Sequence, residues 1–262
     1  MQNIALTNPA AEREALRVNQ IDFTHPWQWL IKGRADIKAA PGYSLTYGAG
    51  IVLIGAVMTL LMALGHLTFL VPFLMAGFFL LAPLLAIGLY QMSDNLERGE
   101  SLKTCQALEA FKRNQSQLGI TTGVLIMLMQ AWILASVFLF IMLFTDPFPS
   151  LDNFVQVVFL SGQYNLILLA FIVVGAGFAV CAFCISAITV PMLIDRPVDA
   201  FTAMRTSVRA VTVNWGPMLL WAALIVCIVG VGLLTFYIGL FIAVPLVGHA
   251  TWHAYRDLVP GD

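Results

Sequence analysis

Two short spacings in this chain could do chemistry. His249 and His253 are four residues apart, so on a helix both rings face one side. Such a pair suits a metal ion, and opposed histidines can hold haem. A catalytic metal site asks for about three protein ligands, and no further ligand stands near; the neighbours are Trp252, Tyr255 and Arg256. The pair therefore reads as a polar cap at a helix end, and no metal, haem or other cofactor is expected. The second spacing is Cys181 and Cys184, in "CAFC", which matches a thiol-redox motif. Redox cysteines need a polar setting that lowers the thiol pKa. These two sit in an apolar run, and with Gly177 they form a small-residue stripe, Gly177–Cys181–Cys184, suited to close helix packing.

The elements that carry these residues are hydrophobic. Of the 262 residues 60% are hydrophobic and only 10% charged, against about 25% charged in a soluble domain. A chain of this composition has lipid as its solvent. The net charge of −1 gives no reason to expect a nucleic-acid partner. Four cysteines in this length are not a disulfide framework. The opening "MQNIALTNPAAEREALRVN" lacks an apolar core and is not a secretory signal. Residues 1–23 read as a polar cytoplasmic tail and residues 24–258 as the membrane domain.

A spanning helix needs about 20 mostly apolar residues. The qualifying windows are Ser44–Leu64, Thr68–Met92, Leu118–Phe144, a stretch within Gln163–Ile194, Trp215–Leu234 and Thr235–Tyr255. Leu151–Gly162 reads as a short helix on the outer interface. All 13 lysines and arginines fall before the first window, between the second and third, between the fourth and fifth, or after the sixth. Basic residues resist translocation, so these segments and both termini are cytoplasmic.

The basic segments have their own pattern. Pro197–Val213 places Val198, Phe201, Met204, Val208 and Val211 on one helical face and Arg205 and Arg209 on another, with Pro197 at a first helical position. Ser101–Asn114 carries Leu102, Cys105, Leu108 and Phe111 in a stripe beside Lys103, Lys112 and Arg113. Ser101 can cap that helix, and Glu109 can pair with Arg113. His25–Lys38 begins with Pro26 and sets Trp27, Trp29, Leu30 and Ile31 beside Lys32 and Arg34. A helix of this kind lies in the membrane plane, its cations among anionic headgroups. Each precedes a pair of windows whose second member holds a proline (Pro83, Pro191, Pro245), so a degenerate threefold repeat is one reading. The other is that topology alone produces basic cytoplasmic loops.

The stretch "PWQWLIKGRADIKAAPGYSLTYGAG", Pro26–Gly50, with the span pattern after it, resembles a family of bacterial integral membrane proteins, some of which carry a cytochrome c oxidase label. The resemblance runs from Thr24 to Tyr255. The plan is more distantly similar to the membrane domain of some glycerophosphodiester phosphodiesterases. Neither resemblance supplies catalytic residues. A haem-copper core, as that family is known, needs more buried histidines than the four present here, so the chain is not that catalytic subunit.

Gln130, Ser186 and Thr189 are the main polar groups deep in the windows, all uncharged, and helix-to-helix hydrogen bonds account for them. No nucleotide-binding, metalloprotease or nucleophile-elbow motif is present. The expected fold is an all-α, polytopic membrane protein of six transmembrane helices in three hairpins, each preceded by a basic amphipathic interfacial helix. The expected function is non-enzymatic, in the bacterial inner membrane. It consists of binding anionic lipids, a membrane-protein partner or a second copy of the chain, for example as an accessory or assembly factor of a respiratory complex. A small-solute or lipid transporter is the alternative. The expected binding surface is Trp27, Trp29, Lys32, Arg34, Lys103, Lys112, Arg113, Arg205 and Arg209.

Overall fold

The computed structural model describes residues 17–67, 82–102, 106–143 and 161–260, and every element among them is a helix. In chain order these are α1 (His25–Ala39), α2 (Pro41–Leu64), α3 (Ile87–Glu97), α4 (Gln106–Arg113), α5 (Gln115–Leu143), α6 (Asn165–Ser186), α7 (Thr189–Asp195), α8 (Ala200–Val213), α9 (Trp215–Leu234) and α10 (Leu240–Leu258). Among the described residues four stretches are long and apolar enough to cross a membrane: α2, α5, α6 with α7 (Asn165–Asp195), and α9. They match the first, third, fourth and fifth windows. The second window lies mostly outside the described residues, as do Lys103 and nearly all of the interfacial helix expected at Leu151–Gly162. The sixth corresponds to α10, which is not among the four because His249, His253, Arg256 and Asp257 interrupt its apolar run.

The chain forms two compact units. The smaller is Gly123–Phe183, the greater part of α5 and α6. Its side chains mostly face outward, and where the two helices pass, a Cβ on Gly175 would stand 3.8 Å from Trp132 Nε1. The larger unit, up to Thr122 and again from Cys184, is organised around α10. This helix packs on α1, α2, α3 and α9. Its small residues Ala243, Gly248, Ala250 and Ala254 let those neighbours come close. At Gly48 the approach is closest, since a Cβ there would lie 2.2 Å from the carbonyl oxygen of Phe241. Gly33 is the matching point on α1, 2.8 Å from the Ala250 nitrogen by the same measure. At the far end of α2, Thr59 Oγ1 and the Tyr237 hydroxyl are 2.7 Å apart.

Local signals explain several boundaries. Pro26 and Pro41 occupy the first turns of α1 and α2, where a missing N–H costs nothing. Helix α8 starts at Ala200 rather than at Pro197, because Asp199 supplies the cap: its Oδ1 accepts from the Thr202 N–H at 3.0 Å. Between α6 and α7 the helix breaks at Ala187–Ile188, and Ser207 of α8 serves the interrupted backbone. Its hydroxyl donates to the Cys184 carbonyl at 2.7 Å and lies 3.4 Å from the Ile188 nitrogen. The end of the polar tail is also fixed. The Asn19 N–H donates to the Leu258 carbonyl, and the Ile21 N–H donates to Asn214 Oδ1, both at 2.9 Å.

Candidate functional site

The larger unit buries a connected set of polar side chains at one end of α10. Asp36 of α1 is its hub. The Ser93 hydroxyl of α3 donates to Asp36 Oδ2 at 2.7 Å. That proton is then committed, so Ser93 Oγ must accept from His249 Nδ1, also 2.7 Å away. His249 Nε2 is left facing Ser44 Oγ of α2 at 3.0 Å. On the other side of Asp36, His253 Nε2 lies 2.9 Å from Oδ2, and its Nδ1 lies 3.3 Å from Glu97 Oε1. Carboxylates only accept, so both nitrogens of His253 donate, which assigns it as an imidazolium. Ser44, His249, Ser93 and Asp36 thus form one relay, in which Ser93 stands between the imidazole and the acid. Ser44 and His249 are both fully buried, so the Ser44 hydroxyl meets protein rather than an open cleft.

The set continues outward through ion pairs. Arg256 Nε lies 3.3 Å from Glu97 Oε2, and its Nη1 lies 3.6 Å from Asp195 Oδ2. The Tyr255 hydroxyl donates to Asp195 Oδ2 at 2.6 Å and accepts from Arg196 Nε at 3.0 Å. Arg98 joins Asp94 at 2.7 Å and Asp195 at 3.4 Å. Burial pushes the Glu97 carboxyl up, but the hydrogen bond from His253 and the charges of His253 and Arg256 outweigh it and hold Glu97 below the usual carboxylate range. Across the bundle Trp29 donates its indole N–H to Asp257 Oδ2 at 2.7 Å, and Lys32 reaches the same carboxylate at 3.3 Å.

The structure redistributes the residues singled out by sequence. His249 and His253 do share a face, but it is not a solvated helix end: both are buried and bonded to residues of α1, α2 and α3. Among the described residues no group of three or more His, Cys, Asp or Glu side chains is arranged to hold a metal ion. Trp29 is not a surface residue; it is fully buried and meets Trp221 edge-on at 5.4 Å between ring centres. Trp252 is likewise buried, whereas Trp27 and Trp215 are exposed. Arg113 is exposed but donates to Gln91 Oε1 of α3 instead of pairing with Glu109. Leu108, expected on the apolar stripe of α4, is 54% exposed, and Ala110 takes the buried position. Among the described residues nothing lies within 4 Å of a Cβ on Gly177 and Cys181 is exposed, while the Cys184 carbonyl accepts from Ser207 of α8. Gln130 faces outward, while Ser186 and Thr189 are buried.

Helix α8 departs most from its expected faces. Its buried side is made of Ala200, Thr202, Ala203, Met204, Thr206, Ser207 and Ala210, of which Met204 was expected there. Phe201 and Val208, expected inside, are exposed together with Arg205 and Arg209. Sequence reasoning also missed Asp36, Ser93, Glu97 and Asp195. Their signal was available as acids at or beside the ends of apolar runs, such as Asp195 directly after "VPMLI". Counting cations alone passed over it.

Residues 70–195 match a family described as "predicted integral membrane protein (DUF2189)". The protein is an integral membrane protein. As a membrane protein, its exposed leucines, valines and isoleucines on α2, α5, α6 and α9 face lipid chains rather than water. The matched stretch excludes the Trp-rich entry at Pro26–Gly50 on which the resemblance was drawn, and it supports neither an oxidase label nor a phosphodiesterase membrane domain. No curated protein and no solved structure matches the chain.

Proposed function

We propose that this membrane protein is non-enzymatic and works by binding at its cytoplasmic face, with anionic lipid headgroups or an acidic partner as ligand. In this reading the chain crosses the bacterial inner membrane six times, and both termini are cytoplasmic. The second crossing is assigned to the window Thr68–Met92, most of which lies outside the described residues, and the sixth to α10. One observation carries the reading: the larger unit holds exposed cations that no ion pair neutralises, while several of its acids are engaged internally. Asp36, Asp94, Glu97, Asp195 and Asp257 are engaged with internal cations or with histidine. Arg34, Lys38, Lys112, Arg205 and Arg209 are exposed, and no ion pair joins them to a described carboxylate. Asp22, Glu97, Glu100, Glu109 and Asp199 are exposed as well, so the excess of unpaired cations is local to helices such as α1 and α8, and such a patch attracts an anionic leaflet.

A small-solute or lipid transporter is the second reading, and the buried Asp36–His249–His253 group favours it, since ionisable residues at membrane depth often mark a path. The hydrogen-bonded chain of side chains stops at Ser44, however, and beyond it α2 meets the Phe241 backbone at Gly48 before the next polar pair, Thr59 and Tyr237.

The test is reconstitution of the full chain in nanodiscs of equal phosphatidylcholine and phosphatidylglycerol. Native mass spectrometry of the released protein is expected to show phosphatidylglycerol enriched several-fold among retained lipids, with reporters after Pro149 and Asp199 reading periplasmic and cytoplasmic. Equal retention of the two lipids, together with substrate-dependent flux in liposomes, would turn the assignment to transport.

A further inference from the structure

The exposed arc of α8 is specific enough to name its contact. At 100° per residue Val208, Phe201, Thr212, Arg205 and Arg209 follow one another around the helix. One edge of the arc is therefore apolar and the other cationic. Phe201 is 62% exposed, and Trp215, at the junction with α9, is 71% exposed. The opposite side is fixed. Its small residues seat on α7, Ser207 holds the broken end of α6, and Asn214 Nδ2 donates to the Asn19 carbonyl at 2.9 Å. The nearby acids are occupied, Asp195 by Tyr255 and three arginines and Asp199 by the helix cap. The next helix after α8 is an apolar span, so α8 stands where the chain enters the bilayer.

We infer that the outward arc of α8 lies on the anionic headgroup layer of the bilayer that α9 enters. Arg205 and Arg209 contact lipid phosphates there, and Phe201, Val208 and Trp215 enter the acyl boundary. This rests on the binding reading above and names its surface and ligand. A lipid layer is favoured over an acidic protein because the cations share the arc with exposed apolar side chains and border a span. A helix so placed buries its apolar edge and keeps its cations among the headgroups. The rigid seat also means that the arc need not be ordered on binding, so little of the attraction is lost to entropy.

Each juxtamembrane cation contributes roughly fivefold to partitioning onto an anionic leaflet, so removing both is expected to abolish the several-fold phosphatidylglycerol enrichment. The experiment uses the full chain in the mixed nanodiscs described above. Arg205→Gln/Arg209→Gln is expected to show that loss, Arg205→Lys/Arg209→Lys to keep retention, and Arg34→Gln/Lys112→Gln to change it less. A second measurement uses the native sequence: phosphatidylglycerol with brominated acyl chains should quench the emission that separates wild type from Trp215→Phe. If wild type shows no preference for phosphatidylglycerol, the binding reading fails and this inference with it. If wild type shows the preference and the double Gln variant matches it, this inference alone fails. Unquenched Trp215 overturns the insertion. A co-purifying acidic protein lost from the Gln variant, with lipid retention unchanged, would replace the lipid layer by a protein partner.

Discussion

Helix α10 in the larger unit and helix α6 in the smaller one are both mostly apolar, yet they live differently. Thirteen of the 19 residues of α10 are buried. In the span that α6 opens, 6% of the most apolar window is buried. Hydrophobicity alone therefore does not decide which helix forms a core, because a lipid-facing Leu and a protein-facing Leu are both in apolar surroundings. What distinguishes α10 is small residues that admit backbones and polar residues that must find partners. His249 and His253 could not be left among acyl chains, and satisfying them recruits Asp36, Ser44, Ser93 and Glu97. Helix α6 carries Gly and Cys at similar spacing but no His, Asp, Glu, Lys or Arg, and Gly177 and Cys181 are exposed among the described residues.

Breaking the hub should show the largest contrast. Asp36→Ala removes the acceptor of both Ser93 and His253 and leaves the His253 charge with Glu97 as its remaining carboxylate. The expected loss is about 3–5 kcal/mol of stability in detergent unfolding. A change no larger than that of Val173→Ala on the exposed side of α6 would mean that the polar set is incidental. Next comes a pair of identical substitutions with opposite expected signs. Gly48→Ala forces a methyl against the Phe241 carbonyl and should cost about 1–3 kcal/mol. Gly177→Ala meets open space and should be neutral or stabilising by up to about 1 kcal/mol, since alanine is the better helix former. Equal effects would erase the distinction between the two units.

The smallest effect sharpens the account of α8. Asp199→Ala should cost about 1 kcal/mol by removing the cap. Burial opposes the Asp199 charge, but hydrogen bonds from Thr202 outweigh it and hold the carboxyl below its ordinary 3.8. The folded-state pKa is the lower one, so the cap's contribution is complete above the ordinary value and fades as pH falls through the folded one. Unfolding of wild type and Asp199→Ala should accordingly converge in acid. A gap that persists unchanged there would assign the cap no charge dependence.

The primary structure by itself determined the membrane class of this protein, its helical class and the apolar runs long enough to span. Those follow from composition and from the length of apolar runs, properties additive along the chain. Periodicity also placed His249 beside His253 and started α1 at its proline. The tertiary structure decided which faces meet. Residues 36, 93 and 249 come from three helices, and no pattern local to any of them announces the shared hydrogen bonds. On α8 the period of 3.6 correctly separated valine and phenylalanine from arginine, yet it could not say that both sectors would face outward. That choice belonged to the third side, where Ala200, Ala203, Ser207 and Ala210 are small enough to approach α7 and the broken end of α6. In a membrane close approach, rather than greasiness, selects the buried face, and closeness is settled only when both surfaces are present.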